Sequence, residues 1–279
     1  MADAASYTMS HKLDPFVQDQ WKKEAAEAAA AQVKSGMVVG LGTGSTAKYA
    51  IDALGRRVAE EGLQIVGIAT SERSNAQALA LHIPMTSFAD QSRIDLTIDG
   101  ADEVLPGKLT LIKGHGGALL REKIVASASA RMAVVVDESK IVKKLGQLVS
   151  VPVEVVPFGW QLTSKRLAKL GGKPKLRLVD DGSPYVTDGG HYIIDCAFGK
   201  MNDPAEIGHE LDTTVGVIEH GIFLGLATEV FVGGPGGVTL MKPGPANSRK
   251  RAKNSASKTK AGGARPSALT LKSRRNIAD

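Results

Sequence analysis

Short apolar runs recur along residues 37–136, most of them followed by a turn rich in glycine or acid and then by a segment of helical period. No other feature restricts the fold as much. Runs 37–41, 64–70, 94–98 and 132–136 are too short and too continuously apolar for amphipathic helices, so they read as buried strands. Segments 45–60, 72–81 and 118–130 carry the helical period between them. Strand–helix alternation of this kind builds a mostly parallel sheet covered on both faces. A helix precedes it, because Asp14-Pro15 joins an N-cap residue to proline at the first helical position and the Ala-rich run that follows extends to Gly36. Residues 109–112 read as one more short strand.

The pattern changes after Gly146. A strand at 151–156 leads to a helix at 160–170 closed by Gly171-Gly172. Strands at 175–179 and 191–196 flank an Asp-Gly-Ser-Pro turn region, and a helix at 203–211 and a strand at 216–219 follow. This βαββαβ order suggests a small ferredoxin-like unit. Residues 222–226, 229–232 and 238–241 read as strands that rejoin the first sheet. The expected architecture is therefore α/β: a mostly parallel Rossmann-like sheet with helices on both faces, plus a small inserted ferredoxin-like α+β domain. The expected limits are a flexible N-terminus at 1–13, an α/β catalytic domain at 14–146 and 220–242, the small domain at 147–219, and a basic disordered tail at 243–279.

Charge supports the separate tail. Of the 35 Lys/Arg residues, ten fall between 243 and 279 against one acid, a balance of +9, whereas residues 1–242 carry 25 bases and 28 acids. The tail has few apolar residues to offset its ordering entropy. It also has no aromatic side chain to stack on a base, so a solvated extension is favoured over a nucleic-acid contact. No apolar run approaches the ~20 residues needed to span a bilayer, and residues 1–12 lack the plan of a secretory signal. Cys196 is the only cysteine, which rules out an internal disulfide and suggests a packed core thiol in a reducing, cytoplasmic setting.

Three segments place reactive groups at the ends of apolar runs. Gly40-Leu-Gly-Thr-Gly-Ser-Thr46 lets backbone N–H groups and the hydroxyls of Ser45 and Thr46 converge on an anion at a helix start. It departs from a dinucleotide fingerprint, since Ser45 stands where the last glycine would fall and no acid lies about twenty residues on to hold a ribose. It also lacks the Gly-Lys-Ser/Thr of a Walker loop. A tight strand-to-helix turn would explain it equally well. In Asp99-Gly-Ala-Asp-Glu103 the acids follow a strand, where ligands bind in open α/β sheets, and Asp99 and Asp102 form a pair suited to hydroxyl handling. A solvated acidic turn is the plainer alternative. No histidine-rich set accompanies these acids, so no metal is expected. In Lys113-Gly-His-Gly-Gly-Ala-Leu-Leu-Arg-Glu-Lys123, Lys113 offers charge to an oxyanion, and a carboxylate such as Glu122 in the following helix could serve as a general base. An exposed charged turn is the plainer reading of Arg121-Glu122-Lys123, and position alone does not select Glu122.

These three segments, in this order and spacing, together with Asp137-x-Ser-Lys140, closely resemble ribose-5-phosphate isomerase, type A. So do Val151-Pro-Val-Glu-Val-Val-Pro157, Lys169-Leu-Gly-Gly172 and Gly221-Ile-Phe223. The resemblance covers residues 14–242. It implies interconversion of ribose 5-phosphate and ribulose 5-phosphate through a cis-enediol, without a cofactor, by a homodimer or homotetramer. It assigns the base to Glu122, hydroxyl handling and ring opening to Asp99 and Asp102, and enediolate stabilisation to Lys113. Substrate contacts fall to Thr43, Gly44, Ser45, Thr46, Gly100, Ala101, Gly114, His115, Gly116 and Lys140, with Lys22 reaching toward the phosphate. His115 stands where the family often has glycine, and the tail after Pro243 has no counterpart in the family pattern.

Overall fold

The computed structural model describes residues 14–244. The expectations for residues 1–13 and for the tail beyond Gly244 lie outside the described residues. Helix α1 (Pro15–Ala30) begins as its sequence directs, with the Asp14 side chain accepting from Phe16 N. It ends at Ala30, short of Gly36, which instead turns the chain into the first strand at φ 88°. Strand β1 (Val38–Leu41), helix α2 (Ala47–Glu61), strand β2 (Val66–Ala69), helix α3 (Glu72–Ala80) and strand β3 (Leu96–Gly100) follow. Then come β4 (Glu103–Leu105), β5 (Thr110–Ile112), α4 (Leu119–Ser127) and β6 (Met132–Asp137).

The main sheet is completed by β12 (Glu229–Gly234) and β13 (Gly237–Met241), in the order β13-β12-β6-β3-β1-β2. All its neighbours are parallel except the β12–β13 hairpin. Residues along β6 alternate between its two faces. Ala133 and Val135 join the core beneath α1 and α2, while Met132, Val134 and Val136 pack with Val104, Leu111, Ala126 and Phe223 on the other side. The second face is therefore shared between α4 and a small three-stranded sheet.

That small sheet corrects one expectation. Ile222–Phe223, strand β11, does not rejoin the main sheet; it pairs antiparallel with β5, which pairs antiparallel with β4. The cause is chain length. One residue separates β11 from the end of the strand before it, too short a link to cross to the main sheet, and the short link from β4 to β5 allows only a hairpin where a parallel return would need a dozen or more residues. Glu103, which opens β4, is fully buried; its carboxylate accepts the N–H groups of Gly146 (2.6 Å), Val149 (3.0 Å) and Leu148.

Between these elements lie β7 (Val151–Val155), α5 (Trp160–Lys169), β8 (Lys173–Leu176), β9 (Tyr192–Ala197), α6 (Pro204–Asp212) and β10 (Val217–His220). They form an antiparallel sheet in the order β10-β7-β9-β8, the ferredoxin-like arrangement that the βαββαβ sequence implies. Its core holds Val151, Val153, Val155, Leu167, Ile194 and Leu211, with Cys196 fully buried among them and its thiol pushed up to about 12 by burial and by Asp195. No helix among the described residues is long and apolar enough to cross a membrane.

Candidate active site

The chain leaves β1 toward β2 on one side of the main sheet and returns through β3 on the other, so the crevice of the sheet opens at the carboxyl ends of β1 and β3. The first two chemical segments follow those strands. A cavity of about 300 Å³ opens there, lined by Thr43, Gly44, Ser45, Thr46, Gly100, Ala101, Asp102, Lys113, Gly114, His115, Gly116, Glu122 and Lys140, together with Arg73. Of the residues singled out in the sequence, only Asp99 and Lys22 are missing from this wall. Asp99 is fully buried just below it, and Lys22 stands half-buried on α1.

The turn after β1 is held from beneath. Thr43 N and Gly100 N both donate to Asp99 Oδ1, at 3.1 and 2.7 Å. A Cβ on Gly42 would lie 2.3 Å from that same oxygen, so only glycine lets the two strand ends approach. The Thr43 hydroxyl is committed to Thr70 and Ser71, each 2.7 Å away, and so supports the turn; Thr43 offers the cavity its backbone and methyl group. The first N–H of α2 with a carbonyl partner among the described residues is that of Lys48, on Gly44 O at 3.1 Å. The N–H groups before it, with Thr46 making no capping bond, form an open helix N-terminus at the cavity wall.

Lys113 is buried almost completely, one of the largest such side chains among the described residues. Its Nζ lies 3.1 Å from Asp99 Oδ2 and 3.3 Å from Glu122 Oε1, and donates to Gly100 O at 2.6 Å. Burial opposes the ammonium, but the carboxylates of Asp99, Glu122 and Asp102 outweigh it and raise its pKa, so Lys113 stays charged. Burial pushes the Glu122 carboxyl up to about 8 against the pull of Lys113, with Asp99 and Asp102 adding to the rise. Burial also raises Asp99, opposed by Lys113 and by its two N–H donors. Glu122 Oε2 is buried with no hydrogen-bond partner, a free acceptor on a cavity-lining carboxylate. Asp102 Oδ2 accepts His115 N at 3.1 Å, and the His115 ring lies against Ser150 O at 3.0 Å.

Neighbouring contacts hold Glu122 in place. Lys123, the next residue on α4, reaches Glu219 Oε1 at 2.5 Å and His220 O at 2.7 Å, tying the helix to β10. Asp212, Glu219 and His220 gather their ligand atoms within 4.8 Å of one another, the spacing of a metal site. Their donors are already engaged. His220 Nδ1 accepts Ile222 N–H at 3.1 Å, which leaves the ring proton on Nε2 to donate to Asp212 at 3.0 Å, and Lys123 occupies Glu219. Burial and Lys123 hold His220 down to about 4, so the ring is neutral. The cluster fits an anchor for α4 better than a cation.

Sequence reasoning missed Arg73. It lies on α3 within an ordinary polar run, and only folding brings its guanidinium beside Gly116.

A helix N-terminus with open N–H groups and a buried lysine between two carboxylates meet at the crevice of an α/β sheet, an arrangement suited to an enzyme that moves protons on a small anionic molecule. The family model described as Ribose 5-phosphate isomerase A (phosphoriboisomerase A) matches residues 66–237. The chain is 52% identical to Ribose-5-phosphate isomerase A of Synechococcus sp. (strain JA-3-3Ab) over 80% of this chain and 97% of that protein. It is 55% identical to the protein of the same name from Gluconobacter oxydans (strain 621H), over 80% and 96%. Among solved structures, ribose 5-phosphate isomerase A from Methanocaldococcus jannaschii superposes with TM-score 0.78 at 41% identity, covering 81% of this chain and 99% of the other. A D-ribose-5-phosphate isomerase in complex with phospho-erythronic acid matches with TM-score 0.78 at 41% identity, over 80% and 98%. The chain belongs to the ribose 5-phosphate isomerase A family and is an isomerase that interconverts ribose 5-phosphate and ribulose 5-phosphate.

Proposed function

We propose that Glu122 is the base of this isomerisation. From the open-chain aldose it takes the C2 proton, and the electron pair forms the C1–C2 double bond while the carbonyl π pair passes to O1. Lys113 stabilises the resulting cis-enediolate by charge. The O2 proton moves to O1 along Asp102, and Glu122 returns its proton to C1, giving the ketose with atoms and charge balanced. Asp99, below the wall, works through Lys113 by keeping it charged and fixed. The observation that carries this reading is the Lys113 ammonium seated between Asp99 and Glu122, with the second oxygen of Glu122, a residue of the cavity wall, left without a partner. The substrate phosphate is proposed to rest on the α2 N-terminus at Gly44, Ser45 and Thr46, with Lys140 and Arg73 as cations at the wall; Lys22 is assigned no direct contact. A solved relative is described in complex with phospho-erythronic acid, a phosphorylated sugar acid of the charge such a site would take.

We also infer domain limits of 14–146 with 220–242 for the catalytic part and 147–219 for the small part, assembly as a homodimer or homotetramer, and a cytoplasmic setting. Light scattering on the purified chain decides the assembly.

Glu122→Gln keeps the shape and removes the base. Turnover of ribose 5-phosphate, assayed with EDTA and no nucleotide, is expected to fall about a thousandfold, while phospho-erythronic acid still binds. A variant within tenfold of the parent removes Glu122 from the role.

A further inference from the structure

The turn that carries Lys113 is gripped from outside the main sheet, and the grip leads to Asp102. Arg177 follows β8, and Asp195 lies on β9 beside it. The guanidinium meets the carboxylate through two contacts, Nε to Oδ2 at 2.9 Å and Nη2 to Oδ1 at 2.5 Å, which fix its plane. Its remaining terminal nitrogen, Nη1, donates to Gly114 O at 3.0 Å and His115 O at 3.1 Å. The Gly114–His115 peptide is held at its other side too, because His115 N donates to Asp102 Oδ2 at 3.1 Å. A trans peptide is planar with its C=O and N–H opposed, so pulling the carbonyl toward Arg177 aims the N–H at Asp102. Tyr185, whose ring lies 5.9 Å from the guanidinium carbon, packs on Gly117 at the end of the same turn.

We propose that the Arg177–Asp195 pair of the ferredoxin-like sheet is a positioning device for the isomerisation, which sets Asp102 and the Lys113–Gly117 turn through the Gly114–His115 peptide. Arg177 is not among the residues that line the cavity; it acts through the peptide it holds. The role depends on a planar fork that binds a carboxylate and two carbonyls at once, which lysine cannot do. The proposal rests on the roles assigned above to Asp102 and Lys113.

The test is steady-state kinetics on the full chain for Arg177→Ala, Arg177→Lys, Asp195→Asn and Asp102→Asn, with thermal unfolding of each. Loss of the grip shifts the turn by a fraction of an ångström to an ångström, so kcat of Arg177→Ala is expected to fall about a hundredfold with KM within about threefold. Guanidinium ion, far below denaturing concentration, restores part of kcat to Arg177→Ala and none to Asp102→Asn. Arg177→Lys stays low. Wild-type kcat in Arg177→Ala, or a loss that guanidinium leaves untouched, overturns the proposal. Should Arg177→Ala fail to fold, Asp195→Asn decides: lowered kcat with retained KM supports the device and unchanged kcat sinks it. A fully active Asp102→Asn would instead remove the site assignment on which the proposal stands.

Discussion

At the scale of single residues, the site is governed by how burial divides charge among three side chains. Lys113, Asp99 and Glu122 share a buried pocket with one ammonium and two carboxyls; burial is the largest influence on each, and only at the lysine do the neighbouring charges outweigh it. A base must be ionised to accept a proton. Glu122, raised to about 8, is mostly protonated below that pH and mostly free above it. The pH profile of kcat/KM should therefore climb along a limb centred near 8, where an exposed glutamate would place it near 4. Lys113→Met removes the largest opposing influence, so the limb is expected to move to higher pH while activity drops; a limb that stays put would mean that Lys113 does not face Glu122 in solution. The stability linkage has the same origin. Because the folded pKa lies above the unfolded one, this carboxyl's contribution is fully present below the unfolded value near 4.5 and is lost as pH rises through about 8. Urea unfolding of wild type against Glu122→Gln should show the wild type losing ground to the variant across that window.

At the scale of elements, the third segment illustrates what tertiary approach adds to local sequence. Gly117 has φ 82°, and a Cβ there would sit 2.1 Å from the Tyr185 hydroxyl oxygen, an atom from the loop between β8 and β9. Gly117→Ala is therefore expected to cost about 1–3 kcal/mol from backbone strain alone, with more from the overlap. Adding Tyr185→Ala should recover only the overlap part in denaturant melts; full recovery would mean that the backbone accepts alanine freely. Such contacts also explain what could be read beforehand. The strands of the main sheet were legible because buried parallel strands are continuous apolar runs, as in 132–136. The cap of α1 was legible because Asp14-Pro15 states a helix start locally. The β4–β5–β11 sheet was not, since β4 opens on a charged Glu103 whose buried partners are backbone N–H groups from residues 146–149. Nor were Arg73 and Arg177: each lies in an ordinary polar stretch, and its use depends on glycines brought near by the fold. In the same way the resemblance gave Thr43 as a substrate contact without saying through which atoms, and the fold engages its hydroxyl with Thr70 and Ser71.

At the scale of the whole molecule, charge is distributed against function. The family match runs to residue 237 and the last strand of the described residues ends at Met241, so the main sheet and every residue assigned above to the site lie before the basic stretch. Residues 245–279 hold ten Lys/Arg and one acid, and without them the net charge passes from +6 to −3. An anionic substrate feels a protein's field mainly through charges near the cleft, because a Debye length at physiological salt is about 8 Å. Among the described residues, the cations lining this cleft are Lys113, Lys140 and Arg73. Deleting 245–279 is thus expected to leave kcat/KM within about twofold at physiological salt, with an unchanged melting temperature. Retention on a cation exchanger at neutral pH should disappear, since the remaining chain is net acidic. A tenfold loss of kcat/KM that high salt reproduces in the full-length protein would assign the tail a part in drawing the sugar phosphate to the cleft; a loss independent of salt would tie it to the folded body instead.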